Sequence, residues 1–204
     1  MRVLPQFGVN PEKFQPAPRA THPFRIGFVG RLVEEKGAEE LVRAVAELRE
    51  EWELRVLGSG PQLSRLRALT RDLGIAARVV FENWIPSSRM SAYYQNLDLL
   101  VVPSRTRPNW KEQFGRVMIE AMACGVAVIG TNCGEIPNVL GNAGIVVPEN
   151  DLAALRAAIE ILRADSAQRA AIGARGRARV LELYTHKRIA AETHAIYREI
   201  LNVV

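Results

Sequence analysis

Short apolar runs recur along the chain, at Arg25–Val29, Leu54–Leu57, Val79–Phe81, Leu99–Val102, Ala127–Ile129 and Ile145–Val147. They are rich in Val, Ile and Leu and do not alternate with polar residues, the pattern of strands buried on both faces. Between them apolar residues return at helical spacing. Leu41, Val42, Val45 and Leu48 predict a helix over Ala38–Glu50, because that spacing gathers them on one stripe. Leu63, Leu66 and Leu69 predict another over Pro61–Leu73, with proline at the first helical position, where its missing N–H costs nothing. Pro86–Gln95 and Phe114–Cys124 are the next two, and Asp151 is placed to cap Leu152–Leu162. Beyond it the chain is expected to be helical to its end, with breaks near Gly173–Gly176 and near Tyr184.

Strand and helix alternate about six times, which predicts an α/β fold: a Rossmann-like doubly wound parallel sheet with helices on both faces. Three segments follow: a proline-rich lead-in over 1–23, the α/β domain over 24–165, and C-terminal helices over 166–204. In such folds ligands bind beyond the carboxyl ends of the strands. The informative loops therefore follow Val29, Leu57, Phe81, Val102 and Ile129.

Composition narrows the function classes. The chain has 204 residues, 48% apolar and 24% charged, enough to bury a core. A net charge of +5 favours anionic partners. No basic stripe with interleaved aromatics is present, so nucleic acid is not expected. Cys124 and Cys133 form no CxxC pair, and free thiols in a reducing compartment are expected. The longest apolar stretch, around Ala121–Gly130, falls short of the ~20 residues a membrane span needs. Met1–Pro5 lacks the apolar core of a signal peptide.

The loop after the first strand reads Gly30-Arg31-Leu32-Val33-Glu34-Glu35-Lys36-Gly37. Arg31 can fork onto phosphate oxygens and Lys36 can act as a point charge. Equally, both are cations on a solvated loop beside two glutamates. The loop Gly58-Ser59-Gly60-Pro61 has Leu63 where a dinucleotide fingerprint needs its third glycine, so a nicotinamide site is not indicated. The richest segment runs from Pro103 to Ala123. Gln113, Phe114, Gly115 and Arg116 stand at a helix start, where unpaired N–H groups favour anions. Glu112 precedes that helix. Glu120 lies inside it among Ile119, Ala121 and Met122, a costly position without a partner. A ribose diol or a nearby arginine would serve. Eight helical steps separate the two glutamates by ~12 Å, against roughly 5–9.5 Å for paired glycosidase carboxylates. They read as anchors for different parts of one ligand. Asp-x-Asp, a Walker lysine loop and Gly-x-Ser-x-Gly are all missing, and His22, His186 and His194 fall outside the strand-end loops.

These residues, taken in order, resemble the C-terminal domain of GT-B-fold retaining glycosyltransferases of the large group 1 (family 4) type. V-L-P-Q-F-G-V-N-P-E-K-F-Q-P resembles the lead-in to that domain, G-R-L-V-E-E-K-G its phosphate loop, and Glu112–Glu120 its Glu-x7-Glu motif. E-A-M-A-C-G-V-A-V-I-G-T and G-E-I-P follow in place. The resemblance implies that Arg31, Lys36 and Glu112 carry the chemistry, the cations on the donor diphosphate and Glu112 on the donor sugar. It implies that Gly30, Gly58, Gln113, Phe114, Gly115, Arg116 and Val117 line the donor, that Glu120 grips the ribose, and that the base lies against Asn83, Trp84 and Ile85, largely through backbone atoms. Gln113 stands where glycine is commoner, Ala127 where proline is usual, and Asn138 where an acidic residue is common.

The implied donor is a UDP-, GDP- or ADP-linked sugar, with no cofactor and no metal. The acceptor is expected on an N-terminal domain of the same protein or on a split partner, so that this chain alone is inactive or weakly active. A cytoplasmic location follows, with any peripheral contact at the inner membrane made through that other part. The alternatives are a nucleotide-sugar 2-epimerase of the same fold, for which more acidic and histidine residues at the strand ends are expected, and a non-catalytic nucleotide-sugar-binding module.

Overall fold

The computed structural model describes residues 4–5, 7–18 and 23–201. His22 and parts of the lead-in segment (1–3, 6 and 19–22) lie outside the described residues. The six apolar runs are strands: β1 Phe24–Val29, β2 Trp52–Leu57, β3 Val79–Glu82, β4 Leu99–Val102, β5 Ala127–Thr131 and β6 Ile145–Val147. All neighbouring strands pair in parallel, in the order β3-β2-β1-β4-β5-β6. This is the doubly wound arrangement, with its switch point between β1 and β4.

The strands at the centre of the sheet send successive side chains into two different cores. The edge strands β3 and β6, expected to be buried on both faces, instead leave Val80 and Val146 exposed, because only one of those cores reaches the margins of the sheet. Ile26, Leu54, Leu99 and Val101 join one core with Leu41 and Val45 of α1 (Ala38–Ala46), Leu66 of α2 (Leu63–Asp72) and Ile159 of α6 (Leu152–Ala164). Leu57, Leu100, Val102 and Val128 join the other. There they meet Tyr94 of α3 (Met90–Gln95), Met122 of α4 (Arg116–Ala123), Leu140 of α5 (Ile136–Leu140) and Val180 of α7 (Ser166–Leu183). α8 (His186–Leu201) buries no residue. Cys124 and Cys133 are both free and buried. Burial pushes the Cys124 thiol up to about 11, which keeps it protonated.

Several boundaries differ from the periodicity. α1 ends at Ala46, four residues early, and Glu50 takes a left-handed turn before β2. Pro61 lies in a turn ahead of α2, closed by Leu63 N–H donating to the Gly60 carbonyl at 3.2 Å. The helix at Glu112–Glu120 opens at Arg116, two residues after Phe114. α5 was not expected from the pattern; at five residues it is too short to show a period. No break occurs at Gly173–Gly176: α7 runs through both. They are packing positions, since a Cβ on Gly173 would stand 2.2 Å from the Gly125 carbonyl oxygen. The break at Tyr184 is real. Val9 bridges to Thr185 there, donating its N–H to the Tyr184 carbonyl at 2.8 Å and accepting from His186 at 3.1 Å.

Candidate functional site

A cavity of about 360 Å³ opens beyond the carboxyl ends of β1, β2 and β3. Gly30 and Arg31 enter it from the β1 loop, Gly58 and Ser59 from the β2 loop, Trp84 and Ile85 from the β3 loop. Arg116, Val117 and Glu120 close it from the first turns of α4. The wall is mostly apolar (Val29, Leu57, Met90 and Val117 contribute), with a few polar groups at its edges, as ligand cavities usually are. Gly58 is required there. Its N–H donates to the Glu82 carbonyl at 3.0 Å, and a Cβ would lie 1.8 Å from the Gly30 carbonyl oxygen.

Glu120 sits on this wall with 5% of its surface exposed. Both oxygens are engaged: Tyr94 donates its hydroxyl at 2.9 Å and Arg116 its Nε at 2.8 Å. Burial, followed by the Glu120 carboxylate, pushes the Tyr94 hydroxyl well above its ordinary value, so it stays a donor. Arginine and tyrosine thus answer the cost that the apolar flanks of Glu120 predict. The Arg116 side chain is itself largely exposed.

Glu112, 8% exposed, lies just ahead of α4. Lys36 Nζ and Ser104 Oγ both donate to its Oε2, at 2.7 and 2.9 Å. Oε1 is left without a hydrogen-bond partner among the described residues. The Lys36 ammonium also lies 4.9 Å from the centre of the Trp110 ring. Three loops hold this carboxylate. Ser104 is steadied by Thr131, whose hydroxyl donates to its carbonyl. Thr106 donates its N–H and hydroxyl to Glu149 at 2.6 and 2.7 Å. Glu135, from the G-E-I-P segment, donates its N–H to the Glu112 carbonyl at 2.9 Å. No side chain caps α4, and Gly115 turns the chain into it with a φ of 74°. The helix start therefore presents unpaired N–H groups to an anion.

Arg31 is the most exposed of the expected cations: its side chain is 68% exposed, and among the described residues its one ion-pair partner is Glu35, at 3.6 Å. Lys36 is not a free surface cation but half of a part-buried pair. Asn83, Gln113, Phe114 and Gly115 do not line the 360 Å³ cavity. Gln113 and Phe114 line a separate one. The pattern of the sequence did not single out Tyr94, Ser104 or Trp110. Ser104 is the second residue after β4, in a strand-end loop, which is the one signal that could have found it. His186 and His194 are exposed and stand away from the site. Among the described residues no three His, Cys, Asp or Glu side chains cluster, and no helix is long and apolar enough to cross a membrane.

Comparison with known proteins shows what the chain as a whole is similar to. A family described as "Glycosyl transferases group 1" matches residues 9–179. The GDP-mannose-dependent alpha-(1-6)-phosphatidylinositol monomannoside mannosyltransferase of Mycolicibacterium smegmatis is 36% identical over 187 residues, covering 83% of this chain and 49% of the relative. Sucrose-phosphate synthase from Thermosynechococcus elongatus superposes with a TM-score of 0.86 at 31% identity, over 100% of this chain and 53% of that one. The C-terminal domain of a glycosyl transferase group 1 protein from Francisella tularensis superposes with a TM-score of 0.76 at 26% identity, over 88% of this chain and 100% of that domain. The chain thus spans about half the length of its full-length relatives and all of an isolated C-terminal domain.

Proposed function

Since the chain belongs to the group 1 glycosyl transferases, we propose that it is the donor half of a retaining, metal-independent enzyme that moves a sugar from a nucleoside diphosphate to an acceptor held mainly by an N-terminal domain. The observation that carries this reading is the paired site itself. Lys36 meets Glu112 at 2.7 Å beside a helix start, and a mostly apolar cavity lies next to it with Glu120 on its wall.

In this reading the nucleoside occupies the cavity against Trp84 and Ile85. Glu120 takes the ribose hydroxyls, and the exposed Arg116 guanidinium yields its place on that carboxylate. Arg31, Lys36 and the N–H groups opening α4 receive the diphosphate. Negative charge grows there as the sugar–phosphate bond breaks, and fixed positive charge is most effective where charge develops. With Lys36 and Ser104 both on Oε2, the free Oε1 of Glu112 accepts a sugar hydroxyl. The acceptor attacks from the face the diphosphate leaves, and the departing phosphate takes its proton. The two cations stand in for a bridging metal.

Calorimetric titration of the chain with UDP, GDP and ADP, with and without magnesium, tests the reading. Saturable binding of one of them, unchanged by magnesium, is expected; the relative named for GDP-mannose supports including GDP. Lys36→Ala is expected to weaken the nucleoside diphosphate by roughly ten- to a hundredfold, the worth of a charged hydrogen bond of ~1.5–3 kcal/mol, and the nucleoside far less. Equal losses for both ligands, or binding that requires magnesium, would overturn the assignment.

A further inference from the structure

A second cavity, of about 260 Å³, shares the β4–α4 loop with the donor site. Gln113 and Phe114 line it, whereas Arg116 and Val117 face the first cavity. Glu135, Asn138 and Val139 of the α5 segment, Tyr184 at the end of α7, and Leu4 and Pro5 of the lead-in complete its walls. Its lining residue Gln113 follows Glu112 in the chain, and Glu135 donates its N–H to the Glu112 carbonyl at 2.9 Å, so two of its walls are tied to the Glu112 backbone.

Its chemistry is selective. Phe114 and Tyr184 meet edge to face with centroids 5.7 Å apart, giving an apolar wall. Asn138 Nδ2 donates to Glu135 Oε2 at 2.9 Å, which holds the two side chains ready. Glu135 Oε1, Asn138 Oδ1 and the Gln113 amide make no hydrogen bond among the described residues. Donors and acceptors are therefore both on offer beside an aromatic wall. The neighbouring cation, Arg179, is already engaged. It donates to the Asn138 and Val139 carbonyls at 2.8 and 2.9 Å and lies over the Tyr184 ring. With that guanidinium occupied and the Glu135 carboxylate present, the cavity disfavours phosphate and suits an uncharged ring bearing several hydroxyls.

We propose that this cavity holds a neutral sugar or cyclitol ring of the acceptor, next to the transferred sugar. The proposal rests on the donor reading above, which puts the transferred sugar at Glu112. The test is saturation-transfer difference NMR of the 204-residue chain with methyl α-mannoside, methyl α-glucoside and myo-inositol, in the presence of GDP or UDP. Binding of GDP and UDP is measured by calorimetry on the same samples. At least one ring compound is expected to give a signal, and Glu135→Ala and Asn138→Ala are each expected to weaken its apparent affinity about tenfold, as loss of a hydrogen bond does. Both side chains are exposed, so unchanged melting temperatures are expected to show both variants folded. A signal from none of the three compounds overturns the proposal. So does a signal that resists both substitutions but is lost in Glu112→Gln, because the ring then sits in the donor site. Nucleoside diphosphate binding without a ring signal sinks this proposal and leaves the donor reading intact. A Glu135-dependent ring signal without nucleoside diphosphate binding sinks the donor reading, and the acceptor-side assignment with it.

Discussion

Tyr94 is fully buried and its hydroxyl serves one purpose, donation to Glu120 at 2.9 Å. Glu120 is buried on an apolar helix, so its charge must be met inside the protein. Arg116 answers half of that need from solvent and Tyr94 the other half from the core. Tyr94→Phe keeps the ring and removes the donor. It is expected to lower unfolding free energy by about 1.5–3 kcal/mol, the range for a hydrogen bond to a charged group, as read by urea denaturation. A loss under about 0.5 kcal/mol would mean that Arg116 alone suffices. Glu120 itself was legible, because an acid between Ile119 and Ala121 calls for a partner. Tyr94 was not, being 26 residues away and next to another buried tyrosine.

At the scale of elements, α7 shows how packing overrides local preference. Gly173 and Gly176 fall in its interior, where glycine costs about 1 kcal/mol relative to alanine. That preference is the source of the expected break. The helix persists because Gly173 lets it touch the chain just before β5, and Gly176 sits against Met122 of α4. Gly173→Ala would normally stabilise a helix. Here its Cβ would stand 2.2 Å from a backbone oxygen that cannot move aside cheaply. The variant is expected to lose about 1–3 kcal/mol, the usual range for overpacking, seen as a lower melting temperature. A gain would show that α7 can shift away from β5. The β4–α4 loop illustrates the same lesson at the site: Thr106–Glu149, Thr131–Ser104 and Glu135–Glu112 tie three strand ends together.

Across the whole molecule, arginine–glutamate pairs join elements distant in sequence. Glu39 of α1 bonds Arg43 and also Arg65 of α2. Glu53 of β2 meets Arg55 and also Arg25 of β1. Burial pushes both carboxyls up, but the arginines outweigh it and hold them below their ordinary value of 4.5. A depressed folded-state pKa gives stability that is complete above the unfolded value and fades as pH falls through the folded one. Melting temperature is therefore expected to hold steady above about pH 4.5 and to fall below it. Glu39→Gln with Glu53→Gln is expected to shrink that fall; an identical profile would assign it to other carboxylates.

The sequence by itself determined the alternation of strand and helix, the burial of the central strands on both faces and the positions of the strand-end loops. It did not separate those strands from the edge strands β3 and β6, where Val80 and Val146 are exposed. Hydrophobic period is a local property, and a run of three to five residues rich in Val, Ile and Leu between turn signals has few other uses. It also singled out Arg31, Lys36, Glu112 and Glu120, since charge at a strand end or inside an apolar helix stands out in one dimension. Only the tertiary structure decided who meets whom. Lys36 and Glu112 are 76 residues apart, and nothing in either segment says that they pair or that Ser104 shares the same oxygen. The structure likewise separated Gln113 and Phe114 from the nucleoside-side cavity and gave them a second one. These outcomes depend on the sheet order, which brings the β1 and β4 loops side by side, and sheet order is a property of long-range packing that no local pattern encodes.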